Sequence, residues 1–252
     1  MKTMTRDSIR RIFKVCAVLV LGVGMTVGPW AAGTSWARRE ARKPVIVCFG
    51  DSLTSGYKVG RYRSYPGLLE RRLREQKLNY RVVHEGVPGD TTEKAYQRLD
   101  WVLGYNPDIV IIILGANDWR HRLGPSTMRY YLELIIQGFL AQGTEVILGG
   151  LRMAPKEGPM MTGEPYYHVL LELAQQYPIH FIPNVIDGIF NNEKYTIEDG
   201  MHPNETGYRL MFEHIWRNLR PLIQKRKSSK PAAGVKARPA KGFEGGYPPL
   251  LR

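Results

Sequence analysis

The sequence predicts an α/β domain in three layers, about five parallel strands with helices on both faces. Three observations carry this reading. Between residues 44 and 224, short β-branched runs alternate with longer amphipathic stretches, the pattern of repeated strand–helix units. The run Ile109-Val110-Ile111-Ile112-Ile113-Leu114 is wholly apolar, as a strand is when both of its faces are covered. Gly-containing polar turns follow the first three strands, at the edge where parallel sheets bind ligands.

Taken in order, Val45–Phe49 reads as a first buried strand. Tyr65 to Lys77 reads as a helix, with Leu68, Leu69 and Leu73 at helical spacing. Tyr80–Val83 is a second strand, and Glu93 to Leu103 a helix. Ile109–Leu114 is the central strand. Thr127 to Gln142 is helical and stops at Gly143, a residue suited to the left-handed turn past a helix end. Glu145–Leu148 is a fourth strand. Tyr166 to Gln176 is a helix stopped by Tyr177-Pro178, because the residue before proline avoids helical backbone. Ile179–Ile182 is a fifth strand, and Asn204 to Leu222 a closing helix. There are no internal repeats.

The net charge of +13 suggests a nucleic-acid binder until its distribution is read. Residues 1–43 carry a net +7, residues 225–252 another +7, and residues 44–224 a net −1. The basicity lies in the ends, whereas a nucleic-acid module needs it on a folded face. Two cysteines, Cys16 and Cys48, build no disulfide framework. The N-terminus has a basic front (Arg6, Arg10, Arg11, Lys14), an apolar run from Val15 to Val27, and Ser35-Trp36-Ala37 as a small-x-small cleavage site. Residues 1–37 therefore read as a signal peptide or an N-terminal membrane anchor, with 38–43 as a linker. The expected location is outside the cytoplasm, periplasmic or secreted, or held at the inner membrane. Residues 225–252 are rich in Lys, Pro, Gly and Ala without apolar periodicity, and read as a basic disordered tail. Contact of these basic ends with an anionic membrane surface is the partner reading they allow.

Four polar segments then concern chemistry: Gly50-Asp51-Ser52-Leu53, Val87-Pro88-Gly89-Asp90-Thr91-Thr92, Gly115-Ala116-Asn117-Asp118 and Asp199-Gly200-Met201-His202-Pro203. Each alone has an ordinary structural reading as a turn, a helix cap or a surface ion pair. Their joint occurrence on these strand ends, in this order, resembles the SGNH hydrolase superfamily, also called GDSL esterases, over roughly residues 44–222. Ser52, Gly89, Asn117 and His202 match the four residues that name it. Val87–Thr92, Arg98-Leu99 and Leu151-Arg152-Met153 are similar to its bacterial thioesterase/lysophospholipase/arylesterase branch. That branch has a Pro-x-Asn-x-Gly segment where this chain has Met153-Ala154-Pro155-Lys156-Glu157-Gly158. The resemblance implies a flavodoxin-like fold and a serine esterase.

A serine hydroxyl needs a base within hydrogen-bond reach and a third group orienting that base. Ser52 is the candidate nucleophile and His202 the base, since an imidazole titrates near neutrality. Asp199, three residues earlier, is placed to meet the imidazole Nδ1–H. The resemblance implies an oxyanion hole from the Ser52 and Gly89 backbone N–H groups and the Asn117 amide. Gly89 suits close backbone approach, and asparagine supplies a neutral donor at every working pH. Asp51 and Asp118 read as turn-holding residues through local side-chain bonds, and His84 and His121 as candidates to line the pocket. No cofactor or metal is expected, since no His/Cys/Asp cluster has ligand spacing. The reaction expected is hydrolysis of small acyl esters, thioesters or lysophospholipids. A carbohydrate O-acetylesterase shares the fold and is the alternative. A flavodoxin-like anion-binding module without catalysis would not need the Ser52/His202/Asp199 set, and a nucleic-acid binder fits only the net charge.

Overall fold

A computed structural model describes residues 42–153 and 163–228. Residues 1–37, expected as a signal or anchor, most of the expected linker, residues 154–158 of the divergent loop and the expected tail beyond Ser228 lie outside the described residues. A compact unit begins at Lys43.

Five parallel strands form one sheet: β1 (Val45–Gly50), β2 (Arg81–Gly86), β3 (Ile109–Ile113), β4 (Glu145–Gly149) and β5 (His180–Ile182). Their spatial order is β2-β1-β3-β4-β5, the flavodoxin-like arrangement. β1 and β3 lie at the centre and are buried along their whole length, as their unbroken apolar runs require. The helices are α1 (Ser52–Ser55), α2 (Tyr65–Glu75), α3 (Thr92–Gln97), α4 (Leu99–Leu103), α5 (Ala116–Arg120), α6 (Pro125–Ala141), α7 (Glu164–Gln176) and α8 (Glu205–Ser228). α2 packs with α8, while α3, α4 and α7 pack around α6. The chain leaves β1 toward β2 and later leaves β3 in the opposite direction. With right-handed crossovers, the loops after β1 and β3 part to opposite faces and open a crevice between them.

Four local expectations are corrected. The single helix expected over 93–103 is two, broken at Arg98 (φ −106°, ψ 11°), whose guanidinium turns inward to bond Asp90, Glu85 and the Gly50 carbonyl. The turns after β1 and β3 contain short helices, α1 and α5, too brief to show periodicity. His84 does not line the crevice. Its side chain is 7% exposed, with its Nε2 3.7 Å from Glu70 of α2, and burial above all, with the nearby Arg61, pushes its pKa down to about 4. The closing helix runs on to Ser228, so residues 225–228, read as tail, are helical.

That last extension has a physical cause. Arg226 donates to the Asp108 carboxylate at 3.1 Å, to the Asp108 carbonyl at 3.3 Å and to Glu145 at 3.3 Å, tying α8 to the amino ends of β3 and β4. Asp108 in turn accepts the Val45 N–H at 2.9 Å. Replacing Arg226 by methionine is expected to lower stability by about 1 kcal/mol, the partial exposure of the pair discounting a charged hydrogen bond. Urea unfolding at neutral pH checks this.

Candidate active site

The site grows from the carboxyl end of β1. Gly50 closes the strand where a side-chain carbon would collide with the Ile113 carbonyl and the Thr54 hydroxyl. This close approach brings α1 against the end of β3. Asp51, fully buried, caps α1 by accepting the Leu53 N–H at 2.9 Å, as its turn-holding reading expects. Burial pushes its carboxyl up to about 7; the Leu53 N–H opposes this, and the neighbouring Asp118 and Asp90 add to it. Ser52 is then the first residue of α1, 8% exposed. Its carbonyl accepts the Tyr208 hydroxyl at 3.3 Å, so α8 clamps the turn from the other side.

The loop before α8 brings the other two residues. Asp199 Oδ1 accepts the Met201 and His202 backbone N–H groups, both at 2.9 Å, which folds the Asp-x-x-His segment back on itself. Asp199 Oδ2 lies 2.6 Å from His202 Nδ1, and His202 Nε2 lies 2.8 Å from Ser52 Oγ. The three side chains, separated by up to 150 residues, thus form one hydrogen-bonded chain. Partial burial raises the Asp199 carboxyl, but the His202 N–H, the imidazole and the Met201 N–H outweigh it, and the pKa lies below the usual value. An ionised Asp199 fixes the proton on Nδ1 and leaves Nε2 as an acceptor facing the serine. The Tyr57 ring packs against the imidazole at 4.7 Å.

Asn117, on α5, is buried beside this chain and spans two turns. Its Nδ2 donates to the Asp90 carbonyl at 2.9 Å and lies 3.4 Å from Asp51 Oδ2. The second contact is long for a hydrogen bond, so one N–H remains for a ligand oxygen. Asn117 therefore touches the neighbour of Ser52 and the neighbour of Gly89. Gly89 sits at φ +83° in the Val87–Asp90 turn, which the Asp90 N–H closes onto the Val87 carbonyl at 3.2 Å. Proline then glycine is the pairing that a type II turn demands. A side-chain carbon at Gly89 would meet no atom of the chain within 4 Å, so within the protein it is the positive φ that requires glycine here. Among the described residues, the Gly89 and Ser52 N–H groups have no acceptor.

Four supporting residues have contacts here that the sequence did not assign. Arg98 donates to Asp90 at 2.8 Å, to Glu85 at 3.3 Å and to the Gly50 and Glu85 carbonyls at 3.1 Å, over the Phe49 ring. It welds the turn after β2 to the end of β1. Asp118 does not make the local turn bond expected of it. It accepts the Thr92 N–H and hydroxyl, at 3.0 and 2.6 Å, and so locks α5 to α3. Tyr57 packs its ring on the His202 imidazole, and Tyr208 donates its hydroxyl to the Ser52 carbonyl. His121 is exposed at the end of α5.

A parallel α/β sheet with a serine, a histidine and an aspartate joined at its switch point defines a serine hydrolase. The profile of the GDSL-like lipase/acylhydrolase family matches residues 48–210, and the chain belongs to that family. It is similar to Esterase TesA of Pseudomonas aeruginosa, 27% identical over 73% of this chain and 92% of that one. It is 25% identical to the Thioesterase 1/protease 1/lysophospholipase L1 of Escherichia coli, over 73% of this chain and 88% of that one. A crystal structure of TesA superposes with a TM-score of 0.67 at 28% identity, covering 71% of this chain and 99% of that chain. The protein is thus an enzyme, a serine hydrolase of the esterase/acylhydrolase kind.

Proposed function

We propose that the chain hydrolyses small acyl esters, with thioesters and lysophospholipids in the same range, through an acyl-enzyme on Ser52. The observation that carries this reading is the unbroken chain from Asp199 through His202 to Ser52 Oγ, at 2.6 and 2.8 Å. His202 Nε2 takes the hydroxyl proton as Oγ attacks the acyl carbon, and returns it to the departing alcohol or thiol. Water then enters, gives a proton to the same nitrogen, and releases the acid as Ser52 recovers its proton. Asp199 holds the tautomer and stabilises the imidazolium. The Ser52 and Gly89 N–H groups and the Asn117 amide receive the oxyanion.

The test pairs labelling with turnover. A serine-directed organophosphate should modify Ser52 stoichiometrically. Ser55 and Ser64 spend their hydroxyls on the Ser52 and Arg61 carbonyls, and labelling at either would overturn the assignment. p-Nitrophenyl esters of increasing chain length, an acyl thioester and acetylated sugars then rank the substrates. Preference for the sugars would move the reading to a carbohydrate O-acetylesterase. Asn117→Ala should lower kcat by 10²–10³-fold, the loss typical of one oxyanion donor, with a smaller change in KM. Steady-state kinetics on a soluble ester check this. The basic and then apolar N-terminal sequence supports a place outside the cytoplasm, periplasmic or secreted.

A further inference from the structure

Charge and exposed apolar surface are both concentrated at the mouth of the crevice, although residues 44–224 carry a net charge of only −1. The loop after α1 presents Lys58, Arg61 and Arg63, and the end of α5 presents Arg120 and Arg122, all exposed. Residues 57–63 and 119–124 contain no carboxylate. Arg63 pairs with Glu205. Among the described residues the other four have no ion pair. On the Asp199 loop, Glu198 is an exposed carboxylate next in sequence to Asp199.

The same loops expose large apolar side chains. Of six exposed large hydrophobic residues in the described structure, four belong here: Tyr62 at 78%, Val87 at 40%, Tyr57 at 39% and Leu123 at 38%. Each lies on the loop following β1, β2 or β3, so all four share the carboxyl edge with Ser52. The loop after α1 is firmly built. Val59 and Gly60 donate to the Gly56 carbonyl at 3.0 and 2.7 Å, Arg63 Nε to the Val59 carbonyl at 3.0 Å, and the Val59 side chain is buried. A partner binding there meets a preformed surface and pays little for ordering it.

We infer that this rim docks the open face of the site onto an anionic phospholipid bilayer. The two chemistries present together select this occupant. A soluble polyanion needs cations only. At a bilayer, Lys and Arg meet anionic headgroups while tyrosine rings and a leucine enter the interface between headgroup and chain. The rim surrounds the nucleophile, so docking brings Ser52 to face the lipid. The cations of this surface lie within residues 57–63 and 119–122, not in the basic terminal sequences.

The experiment is flotation of the full-length protein with vesicles of phosphatidylcholine alone and of phosphatidylcholine mixed with phosphatidylglycerol. The triple variant Lys58→Gln/Arg61→Gln/Arg122→Gln should bind the anionic vesicles about a hundredfold more weakly, roughly fivefold for each cation. Its turnover of a soluble neutral ester should equal that of the native chain. Tyr62→Ser should weaken the part of the binding that survives high salt. The control is Arg74→Gln/Lys77→Gln/Arg220→Gln, which removes the same charge from exposed positions away from the mouth. An equal loss in that control, native binding by the rim variant, or equal binding to phosphatidylcholine alone would each overturn the inference. So would capture by a soluble polyphosphate without vesicle binding. The measurement is repeated on Ser52→Ala, so that a failure of the proposed chemistry leaves the docking result readable.

Discussion

Replacing Ser52 by alanine is expected to lower kcat about a millionfold, the scale of loss when a triad serine is removed, while the thermal transition stays near that of the native chain. The residue is nearly buried, and its hydroxyl has one partner, His202 Nε2 at 2.8 Å. Its fold-holding bonds are made by its backbone carbonyl, which accepts from Tyr208 and the Ser55 hydroxyl and survives the change. What remains should be the catalysis supplied by binding and the oxyanion donors alone. His202→Ala should fall to a similar floor, and the double variant should fall no further, because the two side chains act as one unit. Kinetics on a soluble ester beside a thermal melt measure both halves. Retention of more than a few per cent of native kcat by Ser52→Ala, in a folded protein, would sink the mechanism.

Asp199→Asn is expected to cost about 10⁴-fold in kcat with little change in KM. The reason is specific to this loop. Asp199 uses one oxygen on the Met201 and His202 N–H groups and the other on the imidazole. An asparagine keeps the first oxygen in place and so keeps the turn. Its amide then presents N–H to Nδ1, which accepts only in the tautomer that carries its proton on Nε2. That tautomer cannot take the serine proton. Asp199→Ala, which offers no wrong donor, should lose less kcat than Asp199→Asn but should loosen the loop. Near-native kcat in Asp199→Asn with a dead His202→Ala would reduce the triad to a dyad.

Sequence and structure divide the information by range. Strands that are buried on both faces announce themselves, because Val45–Gly50 and Ile109–Ile113 can hold no polar side chain. Helices longer than ten residues show periodicity, and α2, α6 and α7 lie within a few residues of their expected bounds. α1 and α5 are four and five residues long and cannot show it. The Asp199–His202 contact was legible because it is local, three residues wide. The polar turns at the strand ends pointed to Ser52, Gly89 and Asn117 because those turn types recur with that chemistry.

By itself, then, the sequence determined the α/β class, the parallel sheet, the polar edge and the residues worth watching there. Only the tertiary structure decided what those residues touch. It set His202 on Ser52 across 150 positions, placed Arg98 at the joint between two turns, and turned His84 away toward α2. It extended α8 through Arg226 onto Asp108 and Glu145, partners 118 and 81 residues away. It also gathered cations and exposed apolar side chains of separate loops along the carboxyl edge of the sheet. The physical reason is common to all of these. Burial and periodicity are properties of a segment and its solvent, so they are written along the chain. Hydrogen bonds and charge pairs between distant segments exist only once the hydrophobic layers have packed and brought their partners within 3 Å or so.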